Sequence, residues 1–328
     1  MNLNRNIRKS ISVVIPTFNG AHLLREYLPS TLQILEESAI VGGYEVIVAD
    51  DCSSDETIDF LESLQNSHLS WIRSERNLGF AKNINRGIVK SRMELTLLLN
   101  NDILLSSDFF EQTIPYFSDE NLFGISCEIR DLSGTHIQEG AKKLVYKHGE
   151  IRYADVSHEE SANDETTHTL YLCGGVALID TRKLKELDGF TELFSPFYFE
   201  DFDLSLRAWR KGWKCIYTNN THCNHCHSAT IGLLPQKKVE VIFLRNRILL
   251  NFLHKSRIET FFYLAKLRLK KLFCTILPSK SHKTVKSSIT EFFSIKRDAE
   301  KIKEEEYEQL APLDKISDQL VSIHRIVP

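Results

Sequence analysis

Residues 44–57 read YEVIVADDCSSDET, Tyr44 to Thr57, and the reading of this stretch decides the fold. Its first six residues are an apolar, β-branched run, too short for a helix and typical of a buried strand. The run passes into an acidic turn, Asp50-Asp51-Cys52-Ser53-Ser54-Asp55, whose side chains suit the start of a helix over Glu56 to Leu64. Strand, polar turn and helix form the repeating unit of an α/β protein. The unit recurs on both sides. ISVVI at 11–15 predicts a strand stopped by Pro16, then a helix from Ala21 to Glu37 carried by Leu24, Leu28, Leu32 and Leu35 and ended by Gly42-Gly43. Downstream, 71–74 predicts a strand, 81–90 a helix, and LTLLL at 95–99 a strand running into Asn100-Asn101-Asp102. Ligands of an open parallel sheet sit beyond the carboxyl ends of its strands, so Thr17, Asn19, Asp50, Asp51 and Asp102 are expected to meet at one crevice.

Further along, 130–168 is polar and weakly periodic, an irregular hairpin or mobile loop. YLCGGVALI at 171–179 predicts a strand with Gly174-Gly175 at its centre, where backbone can approach a ligand closely. Glu200 to Lys211 predicts a helix with Phe202, Leu206 and Trp209 on one face, and the chain beyond Pro235 reads as helical and basic. No apolar run reaches the ~18 to 20 residues of a membrane span, and residues 1–10 lack the apolar core of a signal peptide, so a cytoplasmic protein is expected. Seven scattered cysteines fit reduced thiols better than a disulfide framework. A net charge of −3 conceals an asymmetry: 22 basic against 33 acidic side chains in 1–234, and 19 against 11 in 235–328. The acidic part suits a carboxylate-rich site, and the basic part suits an anionic surface.

Three constellations could carry chemistry. Asp50, Asp51 and Asp102 follow two different strands; clustered carboxylates repel unless a cation is present, which favours Mg²⁺ or Mn²⁺ with a phosphate ligand. The Asp50 turn alone is equally an Asx-turn and helix cap. The pair Glu200-Asp201 follows the aromatic stretch Phe194-Ser-Pro-Phe-Tyr-Phe199, and aromatic walls raise a carboxylate's basicity towards that of a general base. Asp203, by contrast, is four residues before Arg207 and reads as a structural helix pair. Cys223-x-x-Cys226 with flanking histidines invites structural zinc, but there is no second cysteine pair to complete four ligands. A single histidine at the edge of the acidic site is the favoured reading, and Cys223→Ser is expected to be nearly silent.

In order, VVIPTFNG (13–20), EVIVADDCSSDET (45–57), RNLGFAKNINRGI (76–88), LLLNNDILL (97–105), GGVALIDTRKLKELDGF (174–190), PFYFEDFDLSLRAWRKGWK (196–214) and HCHSATIG (225–232) resemble the family 2 glycosyltransferases, over about residues 10–250. The flavour is similar to the rhamnosyltransferase-like branch of surface polysaccharide pathways. The resemblance implies a GT-A fold: a Rossmann-like, mostly parallel sheet flanked by helices, with 1–234 as catalytic domain and 235–328 as a helical C-terminal region. It implies that Pro16, Thr17, Asn19, Asp50, Asp51 and Asn101 hold the nucleotide, with Asn77 and Gly79 near its pyrophosphate or ribose. The family's Asp-x-Asp metal motif falls on Asn100-Asn101-Asp102, which leaves Asp102 as principal ligand of Mg²⁺ or Mn²⁺ and Asn100 as a neutral one. His225 would contact the metal or the diphosphate, and Asp201 of the Glu200-Asp201 pair would be the catalytic base of an inverting displacement.

The function this implies is transfer of a sugar from a nucleotide diphosphate-sugar, dTDP-rhamnose or a UDP-sugar, to a glycan acceptor, lipid-linked, in surface polysaccharide synthesis. The competing readings are a sugar-nucleotide-binding scaffold that has lost catalysis, suggested by Asn100, and a nucleotidyltransferase, opposed by the absence of a glycine-rich, Lys-containing loop after the first strand. No nucleic-acid partner is expected. From Lys237 to Arg297 there are 15 basic and three acidic residues, interleaved with apolar ones in FFYLAKLRLKKLF at 261–273. A helix here would bury its Leu, Phe and Tyr and turn a basic face to anionic headgroups at the inner face of the plasma membrane, or pack on the catalytic domain with that face in solvent.

Overall fold

The computed structural model describes residues 9–321 apart from 39, 41, 157–165, 227–233 and 278. Three strand–helix units come first: β1 (Ile11–Thr17) and α1 (Ala21–Glu37), β2 (Tyr44–Asp50) and α2 (Thr57–Ser63), β3 (Leu69–Arg73) and α3 (Phe80–Lys90). They are followed by β4 (Leu95–Leu99), β5 (Ile103–Leu105), α4 (Phe109–Thr113), β6 (Leu122–Asp131) and β7 (Ile137–Glu139). A hairpin of β8 (Lys142–Lys147) and β9 (Glu150–Asp155) precedes β10 (Thr166–His168), β11 (Val176–Asp180), α5 (Thr181–Glu186), α6 (Glu200–Arg210) and β12 (Lys214–His225). The chain ends in α7 (Gln236–His254), α8 (Arg257–Ile276), α9 (Lys280–Ile302) and α10 (Asp314–Val321).

The main sheet runs β10-β12-β6-β11-β4-β1-β2-β3, with β5 on β12 and β7 on β6. It is parallel across β4-β1-β2-β3 and between β6 and β12, and β11 is antiparallel to both of its neighbours. The strand order reverses between β1 and β4, so the loops after these two strands and β2 open on one crevice. β1, β2 and β4 are buried along their whole length, as their predominantly apolar, β-branched runs suit strands covered on both faces, the polar Ser12 and Glu45 being paired by a hydrogen bond at 2.7 Å.

Several expectations shift in detail. β1 continues through Pro16, because pairing with β4 ends at Val14 and the lacking N–H falls where one flank of the strand is already free. The glycine pair is not in the centre of a strand: β11 begins at Val176, and Gly174-Gly175 forms the turn before it. Within 130–168 the polar segment builds β7, the β8–β9 hairpin and β10, while 157–165 lie outside the described residues.

The C-terminal helices share one hydrophobic cluster with the sheet, running from Val14 through Phe202 and Trp209 to Leu249, Phe292, Tyr307 and Leu320. A buried polar knot ties them to α6. Asp203 accepts from Arg207 Nε (2.9 Å), Thr191 Oγ1 (2.8 Å) and Tyr307 OH (2.7 Å), and lies 2.9 Å from His254 Nε2. Arg207 also donates to the carbonyls of Leu187 and Gly189. The structural reading of Asp203 and Arg207 therefore holds. Arg207 holds the Asp203 carboxyl down at about 2 against its burial, while burial pushes His254 down to about 4, so the imidazole is neutral.

The basic tail packs on the rest of the protein, as one of its two expected forms has it, but much of its apolar surface stays exposed. α8 packs through Thr260, Tyr263, Leu267 and Cys274 with Leu264 partly buried beside them, and seven of its other large apolar side chains are exposed. They are too many for one buried stripe, and Tyr263 and Leu267 already fill the contact. No helix among the described residues is long and apolar enough to cross a membrane.

Candidate active site

The crevice is built first by glycines and turns. Gly20 opens α1 where a Cβ would lie 2.4 Å from both Asn101 Nδ2 and Thr17 Oγ1, so only glycine lets the loops after β1 and β4 touch. Asn101 Nδ2 donates to Thr17 Oγ1 at 2.9 Å. Asn19, at φ 50°, accepts from Ser54 N–H at 2.8 Å and donates its own N–H to Ser53 Oγ at 2.8 Å, which joins the β1 loop to the acidic turn. Pro16 is part of β1, and Asn77 is an exposed residue of the loop before α3.

Asp50 and Asp51 sit at this crevice but already have protein partners. Asp50 is fully buried, accepts from Ser53 N–H and lies 3.4 Å from Arg73 Nε. Asp51 accepts from the backbone of Leu78 (2.7 Å) and Gly79 (2.9 Å), so its carboxylate fixes the loop that carries Asn77 and Gly79. Three further polar residues of the 76–88 segment hold backbone in place, Asn83 by donating to Ala49 O at 2.6 Å. Asn85 exchanges hydrogen bonds with the Phe190 backbone, and Arg86 donates to the Arg73 carbonyl.

Asp102 differs from these. It is buried, its Oδ1 has no hydrogen-bond partner among the described residues, and its Oδ2 lies 3.3 Å from His225 Nε2. β5 and β12 pair Ile103 with His225, which brings the histidine to the aspartate from more than a hundred residues away. On its other side His225 Nδ1 is 2.9 Å from Gln138 Oε1. A dry carboxylate oxygen beside an imidazole is costly unless a cation is bound, and an oxygen-plus-imidazole set suits a divalent ion such as Mn²⁺ or Mg²⁺. Among the described residues no three His, Cys, Asp or Glu side chains are grouped to hold a metal without further ligands. Cys223 contacts Cys127, Sγ to Sγ at 3.3 Å, and His227, Ser228 and Thr230 lie outside the described residues.

The second half of the site is the turn leading into α6. Tyr198 and Phe199 both have left-handed backbone, φ 77° and 75°, immediately before Glu200 and Asp201. Asn246 of α7, fully buried, reaches the carbonyls of Phe194 (2.6 Å), Phe197 (2.9 Å) and Tyr198 (2.9 Å), and Arg245 donates to Ser195 O. The same turn meets the Gly79 loop, where Phe80 N–H donates to Pro196 O at 3.2 Å.

Gly174-Gly175 joins the two halves. Asn100 N–H donates to Gly175 O at 2.9 Å, and Gly174 N–H donates to Asp201 Oδ2 at 3.2 Å. A Cβ on Gly174 would lie 3.3 Å from that of Asp201. Burial raises Asp201 to about 6, with the charge of Glu139 adding to it, and burial together with the charge of Asp201 raises Glu200 to about 8. At neutral pH the pair thus holds one ionised carboxylate, Asp201, beside a protonated one whose Oε2 has no partner among the described residues. Gln138, Glu139, Asn246 and the role of Gly174 escape a reading of the sequence; a lone Asn in the apolar run RILLNFLH and its predecessor in FLRNR was the available signal.

Known proteins place this arrangement. The model of glycosyl transferase family 2 matches residues 12–188. An uncharacterized glycosyltransferase, YfnE of Bacillus subtilis, is 25% identical over 242 residues, which is 69% of this chain and 55% of that protein. The chain therefore spans about half the length of this curated relative. Among solved structures, GalNAc-T7 with UDP, GalNAc and Mn²⁺ superposes with a TM-score of 0.63 at 17% identity, covering 97% of this chain and 59% of the other. Mannosyltransferase PcManGT from Pyrobaculum calidifontis, in complex with GDP-Man and Mn²⁺, gives 0.55 at 14% identity, covering 89% and 87%. With the matched segment spanning more than half of its length and the sheet, crevice and paired carboxylates in that order, the chain belongs to glycosyl transferase family 2.

Proposed function

We propose that the chain is an inverting glycosyltransferase that moves a sugar from a nucleotide diphosphate-sugar to a hydroxyl of a carbohydrate acceptor. The observation that carries this reading is the Gly174-Gly175 bridge, which links an ionised, basic carboxylate to the loop of the orphaned Asp102 oxygen. Asp201 is the base: raised to about 6, it stays ionised near pH 7 yet accepts a proton more readily than an ordinary aspartate. Glu200, protonated, keeps a second negative charge out of the pocket. As the acceptor oxygen attacks the anomeric carbon, its proton passes to Asp201, the bond to the diphosphate breaks, and one displacement inverts the configuration.

Asp102 and His225 would hold Mg²⁺ or Mn²⁺ with Asn100 as a neutral neighbour, the diphosphate and water completing the shell. When bound, that ion neutralises the charge of the departing diphosphate. Pro16, Thr17, Asn19, Asp50, Asp51, Asn77, Gly79 and Asn101 line the nucleotide's place, Asp51 also fixing the loop of Asn77 and Gly79. The donor proposed is dTDP-rhamnose or a UDP-sugar and the acceptor a lipid-linked glycan of surface polysaccharide synthesis, worked on at the inner face of the plasma membrane. Asp201→Asn tests the base: turnover collapses while nucleotide affinity persists, and full turnover in that variant removes the proposed role.

A further inference from the structure

α8 carries two apolar stripes. At ~100° per residue, Thr260, Tyr263, Leu267 and Cys274 fall within one narrow arc, and these are its buried residues. Ile258, Phe261, Phe262, Leu269, Leu272, Phe273 and Ile276 fall on the opposite arc. Each is more than half exposed, from 52% at Phe273 to 73% at Ile258. So dense a run of exposed large apolar side chains on one helix marks an interaction surface. Its flanks are basic: Lys270 and Lys266, the latter donating to His148 O, border one edge, Arg268, Lys271 and Arg257, the last paired with Glu308, the other, and Glu259 is the one acidic residue of the helix.

The charge selects the occupant. A two-fold contact with a second copy would oppose Arg268, Lys270 and Lys271 of each copy across a buried apolar seam. An acidic protein partner would answer the flanks but not a stripe of Phe, Leu and Ile. An anionic lipid surface answers both, with headgroups for the flanks and acyl chains for the stripe. We infer that the outward stripe of α8 inserts into the interfacial region of an anionic bilayer, with Arg268, Lys270 and Lys271 at headgroup level. The inference deepens the proposed membrane placement and is independent of the transfer chemistry. It makes apolar insertion, rather than a basic face alone, the principal attachment.

The stripe is outside the core, so the variant Phe262→Gln/Leu269→Gln/Phe273→Gln keeps the fold, which its melting temperature verifies. The full chain is sedimented with vesicles of phosphatidylcholine alone and with about 30% phosphatidylglycerol added. Wild type binds the anionic vesicles, the apolar triple variant loses at least about tenfold in partitioning, and Lys266→Gln/Arg268→Gln/Lys270→Gln/Lys271→Gln loses its preference for anionic lipid. A Phe262→Trp reporter shifts to the blue and is quenched by brominated acyl chains. Unchanged binding by the triple variant, an unquenched reporter, or a wild-type dimer that the triple variant turns into a monomer overturns the inference. Donor turnover measured in parallel without vesicles reads the transferase proposal separately.

Discussion

Replacing Asn246 by Leu tests whether the C-terminal helices position the catalytic base. The substitution conserves volume and removes the amide that reaches three carbonyls of the turn before Glu200, at 2.6, 2.9 and 2.9 Å. Two N–H groups serve three acceptors, and removing them strands buried carbonyls at about 1–3 kcal/mol each. The loss is comparable to the strain of about 1–3 kcal/mol that each left-handed residue, Tyr198 and Phe199, stores in the turn. Without the clamp the turn relaxes and Asp201 moves with it. A displacement on the order of 1 Å lowers turnover roughly 10²-fold. Turnover numbers, nucleotide affinity by calorimetry and melting temperature are measured together. The control is Asn251→Leu, five residues on, which removes a buried amide that holds Ile151 of β9 instead (2.7 Å and 3.2 Å). Asn246→Leu should lose turnover while keeping nucleotide affinity, and Asn251→Leu should lose stability while keeping donor hydrolysis. Equal turnover losses in both variants, or none in Asn246→Leu, refute the positioning argument.

Glu200→Gln addresses the raised carboxyl. Its pKa rises from an ordinary 4.5 in the unfolded chain to about 8 in the fold, so wild type loses stability as pH climbs between these values, up to about 4–5 kcal/mol in total. The neutral Gln escapes that loss, and denaturant melts should show its advantage over wild type growing from pH 5 to pH 8; a constant gap would deny the shift. Asp201 at about 6 predicts that turnover rises with pH through this value and then levels. Gly174→Ala pushes a methyl against the Asp201 side chain, and turnover should fall with nucleotide affinity kept. Tyr307→Phe removes the hydroxyl donated to Asp203 at 2.7 Å and should cost about 1.5–3 kcal/mol in chemical denaturation, with unchanged nucleotide affinity.

Local signals carried much of the fold. Largely apolar, β-branched runs at 11–15, 44–49 and 95–99 became β1, β2 and β4, and the 21–37 periodicity became α1 with the same ends. Polar residues after those strands lie at the crevice because strand ends must release the chain there. What was illegible depends on distant partners. Asp50 and Asp51 stand at the crevice as expected, but their further bonds to Arg73, Ser53 and the backbone of Leu78 and Gly79 could not be read from local sequence. Gln138 reaches His225 across 87 positions, and Asn246 reaches Tyr198 across 48. No local pattern encodes such contacts. In α8 the composition announced a basic, apolar helix; which of two apolar stripes packs depends on where α9 and the β8–β9 hairpin stand, and Lys266 donating to His148 O fixes that side.

The central claim is transfer of a sugar with inversion. It is tested most directly by incubating the full chain with Mn²⁺, a carbohydrate acceptor and dTDP-, UDP- or GDP-sugars in turn, then following nucleoside diphosphate release and the anomeric configuration of the product by NMR. The account predicts acceptor-dependent release of one nucleoside diphosphate and a product anomer opposite to that of the donor. Binding without turnover across the set, release of pyrophosphate, or retention of configuration would contradict it.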